Sequence, residues 1–178
     1  RRPKNVQFIR SLREDLQRRD FTMNAIAMDR TGKLNDPFSG YDDIKKNVIR
    51  TVGLAEERFS EDALRIMRAI RFVSQLSFKI EDETLIAIKK HGPLLMNISV
   101  ERKTKEFEKL LCGKNRNLSF KILLEAGIHS FLPGLNNQED KLKVLCDYIY
   151  DNMHLNEMWA LLLFSLNIPS HQSVSFLK

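Results

Sequence analysis

Residues 61–71 read EDALRIMRAIR, and a stretch patterned this way folds as a helix buried along one side. At about 100° per residue, Ala63, Leu64, Ile66, Met67 and Ile70 gather on one arc, and Glu61, Asp62, Arg65, Arg68 and Arg71 gather opposite them. The apolar arc has to face a core. The polar arc sets planar guanidiniums beside carboxylates, which is the chemistry that hydrogen-bonds a nucleobase edge or grips a phosphate. An ordinary solvated face has the same spacing, with Glu61–Arg65 and Asp62–Arg65 pairs contributing only about a few tenths of a kcal/mol each. Periodicity alone leaves both readings open.

From Ala55 onward the helical spacing is nearly continuous. Helices are expected over 59–76, 82–91, 100–111, 118–126, 138–150 and 156–166, with breaks at Gly92-Pro93, Cys112-Gly113, Gly127, Pro133-Gly134 and Pro169. Before that point the pattern is mixed. Val6, Phe8 and Ile9 make 5–11 a strand, 12–19 a charged turn, and 34–38 and 48–52 short extended pieces around a helix at 41–46. Two or three such strands are too few for an independently stable sheet. The expected fold class is therefore α+β: a remnant of an α/β unit followed by an all-α helical array, with the change near Gly53. The expected divisions are 1–53, 54–115 and 116–178, and the chain reads as a segment cut from a longer protein, with 173–178 a helix stopped in mid-course.

Composition narrows the function classes. Among 178 residues no apolar run approaches the roughly 18 needed to span a bilayer, and no apolar signal core follows Arg1, Arg2, Pro3 and Lys4. A cytoplasmic protein without a membrane partner is expected. Cys112 and Cys146 are isolated, and His91, His129, His154 and His171 are scattered, which argues against a disulfide framework, a zinc site or a histidine base. The net charge of +6 is concentrated at the front, where Lys plus Arg number 12 against 7 Asp plus Glu over residues 1–50. A polyanionic partner such as a nucleotide or RNA fits that excess without being required by it.

A second constellation, RRDFTMNAIAMD, occupies residues 18–29. Arg18 and Arg19 precede Asp20, and Asn24 follows four residues later. Read locally, Asp20 caps a helix built on Phe21, Met23, Ala25, Ile26 and Met28, and Asn24 lies on its first turn. An arginine at such a junction reaches a triphosphate, helped by free backbone N–H groups, while Asn24 hydrogen-bonds a sugar hydroxyl or braces the loop. A plain cap before an amphipathic helix, with both arginines solvated, reads equally well.

Taken together, RRDFTMNAIAMD, DPFSGYDDIKKNVIRTVG, RFSEDALRIMRAIRF, ISVERKTKEFEKLLCG and LLEAGIHSFLPGL closely resemble the class II bacterial tRNA nucleotidyltransferases, the CCA-adding enzymes, and their relatives the bacterial poly(A) polymerases. The order and spacing match nearly the whole chain. The resemblance implies a polymerase with an α/β nucleotidyltransferase head carrying catalysis, a helical neck selecting the nucleotide, and helical body and tail domains holding tRNA. It implies that 1–53 is the rear of the head, 54–115 the neck and 116–178 the start of the body. Arg19 then corresponds to the arginine that binds the triphosphate of ATP or CTP, with Asp20 and Asn24 as supporting positions. Asp62 and Arg65 correspond to the pair that reads the Watson–Crick edge of the incoming base, Glu61 to an orienter of Arg65, and Arg68 and Arg71 to further arginines that hold the stripe or reach phosphate.

The family's Asp-x-Asp pair, which binds two magnesium ions, has no counterpart here. Ligands for Mg²⁺ are expected upstream of Arg1, so no catalytic or metal residue is assigned within the segment, and the segment alone is expected to be inactive. Partners implied are tRNA, ATP and CTP, with oligomeric state open. A poly(A) polymerase, an enzyme adding only A or only C, or a non-catalytic helical RNA-binding module remain alternatives. The last would grip any polyanion with steep salt dependence.

Overall fold

The computed structural model describes residues 11–150, 152–169 and 171. The strand expected at 5–11 and the helix expected at 173–178 therefore lie outside the described residues, apart from Ser11. The chain is α+β, mainly helical with two small two-stranded sheets among the described residues.

The front unit differs from its local sequence signals at two places. Residues 12–19 were expected to turn, but Leu12–Gln17 form helix α1, with Ser11 as N-cap. The helix expected after Asp20 does not form. Thr22–Asn24 make a single 3₁₀ turn, and the chain then enters β1, Ala27–Met28. The reason is long-range pairing: Phe21 bridges Thr51 antiparallel, the Asp20 carbonyl accepts from Val52 N–H at 3.2 Å, and Thr22 N–H donates to the Arg50 carbonyl at 2.9 Å. A backbone pinned on both sides in extended form cannot begin a helix at Asp20. Strand β1 pairs antiparallel with β2, Leu34–Asn35, and α2 follows over Gly40–Lys46. Strand β3, Val48–Ile49, runs parallel to β4, Lys79–Ile80, so the front unit is completed by a strand from the helical half.

The helical half is organised around α4, Leu64–Leu76, whose Leu64, Ile66, Met67, Ala69, Ile70, Val73 and Ser74 are all buried. It packs against α6, Val100–Leu111, and α7, Arg116–Glu125, while α3, Ala55–Glu61, lies against α5, Asp82–His91. Helices α8, Glu139–Cys146, and α9, Leu155–Ser165, close the array. Helix α8 stops four residues short of the expected end. One continuous core runs from Phe21 to Leu166, and an edge-to-face contact of Phe21 on Phe72, 5.6 Å between centroids, joins the front unit to α4.

The expected single helix over 59–76 is broken. Asp62 is extended (φ −149°, ψ 101°), ending α3, and its carboxylate accepts from Leu64 N–H at 3.1 Å, satisfying a free donor at the start of α4. The polar stripe is consequently carried across a bend.

Where α6 passes to α7, Gly113 lies directly on α4. A Cβ there would stand 2.0 Å from Ser74 Oγ and 2.6 Å from the Ser74 carbonyl carbon. Ser74 Oγ itself donates to the Leu110 carbonyl at 2.9 Å and is fully buried. Gly113→Ala is expected to lower stability by about 1–3 kcal/mol through overpacking, read as a lower urea midpoint at unchanged slope.

Candidate functional site

Arg65 stands on the first turn of α4, just past the bend, with its side chain only 13% exposed. Its Nε donates to Asp20 Oδ1 at 2.8 Å, and its Nη1 donates to Glu61 Oε2 at 2.6 Å and to the Arg58 carbonyl at 2.8 Å. Arg68, one turn on, donates Nη1 to the second Asp20 oxygen at 2.5 Å. A carboxylate from the front unit is thus gripped by two guanidiniums from the helical half. Arg65 in turn lies between two carboxylates.

The electrostatics follow from this packing. Burial pushes the Asp20 carboxyl up, but hydrogen bonds from Arg68 and Arg65 outweigh it and hold the group below the usual carboxylate range. The Arg65 bond holds Glu61 below its usual range. Burial lowers the Arg65 guanidinium, and Glu61 and Asp20 more than restore it, so it remains charged. Because the folded Asp20 carboxyl titrates below its unfolded value, its stabilising contribution is complete above about pH 4 and is lost as pH falls through the depressed value. Asp20→Asn is expected to start less stable at pH 7 and to lose less than the parent between about pH 4 and pH 2, measured by urea denaturation across that range.

Two clefts flank this junction. One, of about 630 Å³, is lined by Arg18, Arg19, Asp20, Asn24 and Arg68 over an apolar floor that includes Met23, Phe72 and Phe78. The other, of about 790 Å³, is lined by Glu61, Asp62, Asn97, Ser99 and Arg102 among others. Of the residues singled out from sequence, Arg19, Asp20, Asn24 and Arg68 share the first cleft, Glu61 and Asp62 share the second, and Arg65 bridges the two through its partners. Arg19 is half exposed and donates to Asp15 at 2.8 Å, as Arg18 does at 2.6 Å. Asn24 is exposed on the 3₁₀ turn, not on a helix.

The carboxylate of Asp62 does not meet the Arg65 side chain; Arg102 on α6 approaches it at 3.1 Å. Arg71 lies apart from both clefts. It is 15% exposed, stacks on Phe72 at 4.1 Å from the ring centroid, donates to Gln75 at 2.9 Å, and places Nε 2.9 Å from the buried Glu106 carboxylate. That Nε–H does not point at the oxygen, so the contact is Coulombic.

Sequence reading missed Arg58, Arg102 and Glu106. Arg102 and Glu106 are one turn apart on α6, a spacing visible in VERKTKEFEKLL, and they meet Asp62 at the bend and Arg71 on α4. The partners of Arg58 include backbone carbonyls about 40 residues away, which no local pattern reports. Among the described residues no group of three or more His, Cys, Asp or Glu is arranged to hold a metal ion, and no helix is long and apolar enough to cross a membrane.

Residues 1–50 match the family model described as the poly(A) polymerase head domain, and residues 77–139 match that described as a probable RNA and SrmB-binding site of polymerase A. A curated CCA-adding enzyme of Geobacillus stearothermophilus is 50% identical over 179 residues, covering 100% of this chain and 44% of the enzyme. A solved CCA-adding enzyme of Bacillus stearothermophilus, in complex with CTP, superposes with a TM-score of 0.90 at 48% identity, over 97% of this chain and 44% of that one. A tRNA nucleotidyltransferase complexed with a primer tRNA and an incoming ATP analog superposes at 0.74 with 28% identity, over 99% of this chain and 56% of that one. The chain spans less than half the length of the curated relative, 44%, and is itself aligned over its whole length. With the matching folds and the two family models along it, the chain belongs to the family of the CCA-adding enzymes and poly(A) polymerases.

Proposed function

We propose that the complete natural protein adds CCA to the tRNA 3′ end from CTP and ATP without a nucleic-acid template, and that this chain carries its nucleotide selector. The observation that carries the reading is Arg65, held between Asp20 and Glu61 with Nη2 uncommitted to any described residue. A guanidinium fixed at two edges presents its remaining donors in one direction. In this reading Arg65 donates to an acceptor on the base, and Asp62 accepts from its exocyclic amino group. Cytosine and adenine both offer an amino donor beside an acceptor, whereas uracil and guanine offer a carbonyl beside an N–H. The same two side chains accept both wanted bases and reject both others.

Arg19 and Arg68, facing the first cleft, take the triphosphate, and Asn24 takes the sugar or braces the 3₁₀ turn. Asp20 and Glu61 orient the arginines. Arg71, turned toward α6, acts by holding α4 in place. The division into head at 1–53, neck at 54–115 and body from 116 is proposed on the same basis, supported by the change from mixed structure to helices after β3. The divalent metal used in this family finds no fitting donor set among the described residues, so no step is assigned through it here. The Mg²⁺ ligands are expected outside this chain.

Incubating tRNA that lacks its 3′ CCA with CTP, ATP and Mg²⁺ tests the reading. The complete protein is expected to restore CCA and the 178-residue chain alone to add nothing. Robust incorporation by the chain alone would place the reaction centre within these residues and overturn the assignment.

A further inference from the structure

Arg58 lies on α3, one turn before the bend at Asp62, with its side chain 12% exposed. Its Nη2 donates to two backbone carbonyls, Gln17 at 2.6 Å and Arg19 at 2.9 Å, and its Nη1 donates to Glu61 Oε2 at 2.7 Å. The carbonyl of Arg58 accepts in return from Arg65 Nη1. These contacts are not a surface ion pair. Gln17 is the last residue of α1, so its carbonyl has no acceptor role within the helix, and a cation is favoured at that end. The Arg19 carbonyl belongs to the peptide that leads into Asp20. One side chain therefore clamps both ends of residues 17–20, the segment that presents Arg18, Arg19 and Asp20.

We propose that Arg58 is a positioning residue for nucleotide selection: it fixes the 17–20 segment against the bend, so that the Asp20 carboxylate arrives between Arg65 and Arg68 and aims their guanidiniums. It touches no nucleotide itself. Lysine cannot replace it, because a single ammonium on an unbranched stem cannot span two carbonyls and a carboxylate in one plane. The inference rests on the reading of Arg19, Asp20 and Arg65 as nucleotide-binding residues, although the contacts themselves do not.

Arg58→Lys in the complete natural protein separates positioning from general stability, with Arg58→Gln as a second variant if the first folds poorly. Amide exchange across 17–20 is expected to speed up about tenfold while α6 and α7 keep their protection. The KM for CTP and for ATP is expected to rise about tenfold or more with the KM for tRNA within about twofold of the parent, since a displaced group weakens the ligand it aims at. Combining Arg58→Lys with Asp20→Asn is expected to raise the nucleotide KM by less than the product of the two separate effects, because both act through one segment. Unchanged exchange at 17–20, or accelerated exchange with nucleotide KM unmoved in an active parent, would overturn the proposal. A parent that adds no C or A to tRNA would instead refute the functional reading on which it rests.

Discussion

Asp20→Ala is expected to cost about 2–4 kcal/mol of folding stability and to weaken ATP and CTP binding at least about tenfold. The magnitude follows from what remains. Asp20 takes two guanidiniums, one of them 13% and the other 33% exposed, and deletion leaves both close together without the carboxylate between them. Two like charges that have lost their common partner repel, and partial burial denies them full hydration. The figure is set below that for a fully buried pair because the Asp20 side chain is itself 21% exposed. Urea denaturation reads the stability term, and isothermal titration of the complete protein with CTP reads the binding term. Arg65→Ala is a contrasting case, because it leaves Arg68 still paired to Asp20 and removes the proposed base-reading donor. Its stability loss is expected to be smaller than its loss of selection.

Asp62→Ala is expected to reduce discrimination of CTP over UTP about 10- to 100-fold, since removing the proposed acceptor of the cytosine amino group forfeits roughly 1–3 kcal/mol of difference between the bases. The same change removes the acceptor for Leu64 N–H at the start of α4 and the partner of Arg102, so about 1 kcal/mol of stability goes with it. Asp62→Asn separates the two effects. Its amide oxygen keeps the contact with Leu64, while its amino group can face a carbonyl, so the fold is expected to be nearly intact and UTP incorporation to rise. Competition between CTP and UTP in single-addition assays measures both variants. Unchanged selectivity in Asp62→Ala would remove Asp62 from the base-reading role.

Much of the fold was legible because α4 obeys its own period. Leu64, Ile66, Met67 and Ile70, assigned to the inner arc, are buried, and Arg65 and Arg68 on the other arc reach across to the front unit. Arg71 was grouped with the polar arc, but at about 100° per residue it falls between Met67 and Leu64 on the inner one, which accounts for its place against α6. The bend at Asp62 was hidden because residues before and after it share one periodicity, and an aspartate there fits a helix interior on a wheel as well as it fits a helix start. The absent helix after Asp20 has the opposite cause. Its local signal was good, and pairing with residues 51–52, some thirty positions later, overrode it. Sequence placed the site residues on a single stripe, but the bend distributes them between two clefts joined through Arg65. Arg58 escaped notice because it binds backbone, and backbone carbonyls carry no residue-type signal.

The most direct measurement is binding of CTP, ATP, UTP and GTP to the complete natural protein, carried out beside the Asp62→Ala variant under the same salt. The parent is expected to bind CTP and ATP at least about tenfold more tightly than UTP and GTP, and the variant to bind all four within about threefold of one another. Equal binding of all four by the parent, falling steeply and uniformly as salt rises, would contradict a nucleotide selector and leave a basic helical module that holds polyanions without reading them.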